Sequence, residues 1–170
     1  MKILKIFLLT ALLTGLSSVL AQGQTSGGTA GDATITLIEI TEVTKITDLL
    51  FGDIIPHGGG SVIINPDNGN RTATGGVGLM GTSFSVASFE VKGGAGQSFS
   101  FPSLPTTITL EDSQNNTMTV GAFVISPSSG VLGSNGKTTV AVGATLIVSA
   151  NQPPGIYSNN TDLKITVSFQ

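Results

Sequence analysis

The chain contains no cysteine and no tryptophan, and only one tyrosine and one histidine. Without cysteine there is no disulfide framework, no thiol chemistry and no residue for a lipid anchor, so the fold must rest on burial and backbone pairing. One His and no Cys also exclude a conventional zinc site. Carbohydrate-binding sandwiches stack sugars on exposed Trp or Tyr, and outer-membrane barrels need aromatic girdles at both interfaces. A single Tyr157 supports neither. Charged residues make up only 10% of the chain, and its few basic residues form no patch, which excludes nucleic acid as a partner. No ten-residue stretch carries a sustained helical period.

The polar residues that do occur explain themselves without chemistry. His57 sits between Pro56 and Gly58-Gly59-Gly60, with no Ser and carboxylate in register to make it a catalytic base, and is read as an exposed loop residue. Glu111 and Asp112 beside Asn115 and Asn116, like Asp67, Asn68 and Asn70, match no EF-hand spacing and suit turns. No catalytic, cofactor-binding or metal-ligating residue is assigned, and the chain is read as a non-enzyme.

What is present begins with a leader. Met1, Lys2 and Lys5 precede an apolar run from Ile6 to Leu13, and small residues from Ser17 to Ala21 follow, with Val19 and Ala21 at the cleavage positions. This predicts a signal peptide over residues 1–21, since the run is far shorter than the roughly 20 residues that span a bilayer. From Gln22 onward five basic residues face ten acidic ones, a formal charge of −5. Ser, Thr, Asn and Gly supply most of the polar surface, which leaves little repulsion to oppose self-association. The expected location is the periplasm, cell surface or an extracellular fibre.

Residues 22–32 are Gly, Ser, Thr and Gln with nothing to bury, and predict a flexible segment. Residues 33–170 then read as one all-β domain, with apolar alternation broken every 8 to 12 residues or so by Gly, Pro, Asn and Ser. Expected strands are Thr34–Ile46, Leu49–Ile55, Ser61–Asn65, Arg71–Met80, Ala87–Lys92, Gln97–Phe101, Thr107–Leu110, Thr117–Ile125, Thr138–Val142, Ala144–Ser149 and Leu163 to the C-terminus. His57–Gly60 and Ser126–Gly130 are expected loops. Ala87–Lys92 and Gln97–Phe101 should form a hairpin over four Gly and Ala residues, with Phe89, Val91, Phe99 and Phe101 inward. In the first strand Ile35, Leu37, Ile38, Ile40 and Val43 are apolar, but the phase slips between Leu37 and Ile38, so a bulge sits there or two short strands meet.

Several segments carry a resemblance. Leu49-Leu50-Phe51-Gly52-Asp53-Ile54-Ile55-Pro56, Gly75-Gly76-Val77-Gly78-Leu79, Ala87-Ser88-Phe89-Glu90-Val91 and Asn151-Gln152-Pro153-Pro154-Gly155-Ile156-Tyr157 together resemble a family of bacterial secreted domains of unknown function, number 4402. The Phe-Gly strand and the Pro-Gly-x-Tyr ending also resemble spore-coat-U-type domains and the pilins of archaic chaperone and usher systems. That resemblance implies an immunoglobulin-like antiparallel β-sandwich with a surface or fibre role. It implies no catalytic residue.

Two functions follow as expectations. In one, the product is an envelope subunit, structural or adhesive, whose residues 33–46 are exchanged between neighbours by β-strand addition, with Ile35, Leu37, Ile38, Ile40 and Val43 as the assembly surface. Its partners would be further copies, other envelope proteins and a periplasmic chaperone. In the other, the same segment folds into its own sheet and the protein is a monomeric periplasmic or extracellular binding module.

Overall fold

The computed structural model describes residues 41–170. The expected signal peptide, residues 22–32, and Ile35, Leu37, Ile38 and Ile40 lie outside the described residues. Ten strands follow in order: β1 (Glu42–Thr47), β2 (Asp53–Ile64), β3 (Arg71–Met80), β4 (Ala87–Lys92), β5 (Ser98–Ser100), β6 (Thr107–Glu111), β7 (Thr117–Ser126), β8 (Ser129–Val131), β9 (Lys137–Val148) and β10 (Ser168–Phe169). Every strand pairing is antiparallel, and the described residues contain no helix.

The large sheet runs β1-β4-β9-β2-β3, with β7 also on β9 and β6 on β7; the small one runs β10-β5-β8. Strand β9 organises the sandwich. Its first half, Lys137–Val142, pairs β4, and its second, Ala144–Val148, pairs β2. Strand β7 pairs across both halves, from Ala141 to Ile147, so β2 and β4 lie end to end on the opposite edge. The division falls at Gly143, where a Cβ would overlap the Ile64 carbonyl oxygen and lie 2.9 Å from the Pro66 nitrogen. Opposite it, the β7 ladder breaks its register between Gly121 and Val124. A bend on one strand and a bulge on its neighbour let a sheet turn a corner.

The bend separates two apolar cores that β9 feeds in one alternating phase. Val140 and Val142 enter a core with Phe89, Val91, Phe99 and Leu132, while Ala144, Leu146 and Val148 enter one with Phe51, Val62, Ile64, Met118 and Val120. Phe123 packs against both. Burying such side chains stabilises the fold by about 1.5–3 kcal/mol each.

Several expectations hold in detail. Strand β4 has the expected bounds, β6 and β7 pair across the Asp112–Asn116 turn, and Asn65–Asn70 closes a turn through Asp67 N–H to Asn65 Oδ1 (2.8 Å) and Asn70 N–H to Asn68 Oδ1 (2.9 Å). Others change. His57–Gly60 is a bulge inside one continuous β2, because glycine also occupies the facing positions. Gly60, at φ 149°, lies against the Thr74 carbonyl, and a Cβ on Gly75 would come within 2.6 Å of the Gly59 carbonyl oxygen. His57 is exposed, as expected, but on a strand.

Strands β4 and β5 form no hairpin: Gly93–Gly96 carries the chain from one sheet to the other, and β5 pairs β8 and β10 instead. The expected loop at Ser126–Gly130 is shorter, since β7 runs to Ser126 and β8 begins at Ser129. The final strand keeps its alternation, with Leu163, Ile165, Val167 and Phe169 half-buried, but only Ser168 and Phe169 are in a ladder among the described residues. Finally, the expected 33–46 strand does not include a free Val43. β1 pairs β4 within the same chain, from Glu42 opposite Lys92 to Thr47 opposite Ser88, with Val43 beside Val91 and half-buried on the second core.

Candidate functional site

Over the large sheet, between the segments Asp48–Asp53 and Gln152–Asn160, lies a groove of about 920 Å³. Its floor is core: Phe89, Ile108, Met118, Val120, Leu146 and Val148 line it, all buried. Its lips are apolar too, with Leu50 52% exposed on one side and Ile156 89% exposed on the other.

One wall is Asp48–Asp53, which is suspended from the loop after β3. Leu50 and Ser85 exchange backbone hydrogen bonds at 2.9 and 3.0 Å, Ser85 Oγ donates to the Asp48 carbonyl (2.7 Å), and Thr47 Oγ1 donates to the Val86 carbonyl (2.9 Å). Arg71 completes the suspension. Its guanidinium donates to the carbonyls of Phe51 (2.8 Å), Met80 (3.0 Å) and Gly81 (2.9 Å) and lies 4.5 Å above the Phe84 ring. A planar fork of donors thus ties two backbone segments together through three carbonyls, in a fixed geometry that an ammonium lacks.

The other wall is Gln152–Asn160. Tyr157 donates its hydroxyl to the Pro153 carbonyl (2.7 Å) and accepts from Gln152 Nε2 (3.0 Å), which also donates to the Thr117 carbonyl (3.1 Å). Tyr157 is thus a packed corner against the first core rather than a stacking platform. Ser158 bridges Glu111 in both directions, and Asn159 Nδ2 donates to the Thr109 carbonyl (2.9 Å). The wall ends at Leu163, and the chain runs on extended to Val167, its side chains alternating against the second core while its backbone makes no ladder among the described residues.

Charges sit at the margins. Asp112 is enclosed by its turn: Oδ1 accepts from the Gln114 and Asn116 N–H groups and Oδ2 from Asn116 Nδ2, all at 2.8 Å. The Asn116 side-chain bond, then the backbone bonds, hold its carboxyl below the usual range, against a desolvation that pushes it up. Gly155 packs on this carboxylate, where a Cβ would stand 2.8 Å from Oδ2. Asp162 is lowered by its bond from Asn159, and Glu42 by its bond and charge contact with Lys92. Among the described residues no group of three His, Cys, Asp or Glu side chains could hold a metal ion. The groove lining is largely apolar, with Lys45, Asp48 and Asp53 among its polar residues.

Of the five expected assembly residues only Val43 is described, and it lies in β1 outside the groove lining. The walls were visible only as the Leu49–Pro56 and Asn151–Tyr157 motifs. Nothing local marked them as facing each other. No helix among the described residues is long and apolar enough to cross a membrane, which says nothing of a β-barrel. No curated protein and no solved structure matches the chain. A family model, domain of unknown function DUF4402, matches residues 40–169, covering both groove walls and all ten strands. The chain therefore belongs to the DUF4402 family.

Proposed function

We propose that this chain is a bacterial envelope or surface subunit, structural or adhesive and pilin-like, that joins to its neighbours by β-strand addition. The single observation that carries the reading is a groove floored by core residues, beside one wall of which the chain runs on from Leu163 to Val167 extended and outside any ladder. An added strand supplies what such a groove needs, alternate apolar side chains for the floor and a backbone for the free edge. Three or four aliphatic side chains at about 1.5–3 kcal/mol each give roughly 5–12 kcal/mol before ordering costs. That rivals the whole stability of a typical domain, about 5–15 kcal/mol. A subunit with an open groove would need cover before assembly, which is the role a periplasmic chaperone would play.

Size-exclusion chromatography with light scattering on protein beginning at Gln22 tests this. Heat-resistant oligomers are expected. A monomer that melts cooperatively at ordinary temperatures would overturn the assembly reading and favour the second one, a periplasmic or extracellular binding module. One observation supports that alternative: about 920 Å³ lies within the roughly 300–1,000 Å³ of small-molecule sites.

A further inference from the structure

We infer that the groove's occupant is residues 33–41 of a second copy of this chain, delivered in trans while β1 stays in its own sheet. The inference rests on the assembly reading above and narrows it, because the expected donor of residues 33–46 overlaps a strand the structure places in cis.

The direction of β1 decides between own groove and neighbour's. Its C-terminal end is at the groove, where Lys45, Thr47 and Asp48 join the lining together with Ala87 and Phe89 from the start of β4. Its N-terminal end is away from it. Glu42 lies opposite Lys92, with a 3.0 Å ion pair, and Lys92 lies opposite Lys137; none of these lines the groove. Six residues of strand, at about 3.3 Å each, put roughly 20 Å between the two ends. To reach its own groove, the chain preceding Glu42 would have to reverse sharply beside β1. Ile38–Thr44 contains no Gly, Pro, Asn, Asp or Ser, the residues that make such reversals.

Side-chain phase separates the two segments as well. Val43 is the half-buried position of β1, and extending its period backward would turn Glu39 inward. By the sequence pattern, an extended strand with a single bulge at Leu37 and Ile38 would instead bring Ile35, Leu37, Ile38 and Ile40 to one face and leave Thr34, Thr36, Glu39 and Thr41 on the other. Four aliphatics on one face suit the apolar floor of the groove, and the unladdered backbone that begins at Leu163 offers an edge to pair with.

The absence of native cysteine makes the test clean, since any disulfide must join introduced residues. In the full chain exported to a bacterial periplasm, I38C is paired with L50C or with I156C, both on exposed lips of the groove, and in a control with T72C on β3. Non-reducing gels should show a ladder of disulfide-linked multimers for the two lip pairs and none for the control. An internally linked monomer would overturn the trans assignment. Oligomers that form without cross-links, and that survive the triple substitution I35D/L37D/I40D, would mean that another segment fills the groove, which ends this inference but leaves assembly standing. Monomers without any link would end both. Loss of oligomers in the triple variant, with its β-sheet circular dichroism retained, is the expected companion result.

Discussion

Asp112 is held by its own turn, and its position behind Gly155 makes that turn the backing of a groove wall. Because its folded pKa is lowered, the stability it contributes is fully present above the unfolded carboxylate value, about 3.9, and is lost as pH falls through the folded value. Melting temperature should therefore fall on acidification from pH 5 to pH 3 more steeply in the wild type than in D112N, which loses the carboxylate's second set of acceptor positions and should melt a few degrees lower at pH 7. Equal slopes in the two proteins, followed by thermal melts across that range, would show that other carboxylates govern acid sensitivity. Asp112 could be read from sequence as a turn residue, since Asx chemistry is local. Arg71 could not. Its partners at Phe51, Met80 and Gly81 are backbone carbonyls, and carbonyls carry no sequence signal.

At the scale of elements, β9 shows both what patterning reveals and where it stops. Its alternation is plain in the sequence and the structure keeps it through the bend, which is why the flanking strands were expected as Thr138–Val142 and Ala144–Ser149 with Gly143 between them. That these are one strand serving two cores depends on Ile64 and Pro66 approaching from elsewhere. Gly93–Gly96 and His57–Gly60 teach the same lesson: a glycine run looks identical whether it closes a hairpin, crosses between sheets or makes a bulge, and its partner strand decides. Substituting G143V should force backbone apart where no flexible side chain can yield, costing about 1–3 kcal/mol or more. A urea unfolding midpoint unchanged from wild type would refute the role given to Gly143.

For the molecule as a whole, all-β class, antiparallel pairing and most strand positions were legible, because periodicity is local. The groove was not, because its walls lie about a hundred residues apart in the chain, from Asp48 to Asn160. Filling it has a thermodynamic signature. If neighbours fill it, binding adds RT ln(1 + [L]/Kd) to stability, about 2.7 kcal/mol when the donor stands at 100 times its Kd. The melting temperature of protein from Gln22 should then rise with protein concentration over dilution, whereas protein beginning at Thr41, which keeps β1 but has no donor, should melt lower and independently of concentration. Calorimetry on both, with coincident concentration-independent curves as the refuting result, reads this directly.

The pairing of β1 with β4 has one more consequence, a mechanical one. A pull exerted on the chain at Glu42 runs along the axis of β1, so the rungs from Glu42–Lys92 to Thr47–Ser88 are loaded side by side in shear, not peeled one after another. The Glu42–Lys92 ion pair and the Thr47–Ser88 hydroxyl contact stand at the two ends of that seam like rivets. A string of such units, each tethered through its neighbour's groove, would meet tension with its stiffest direction.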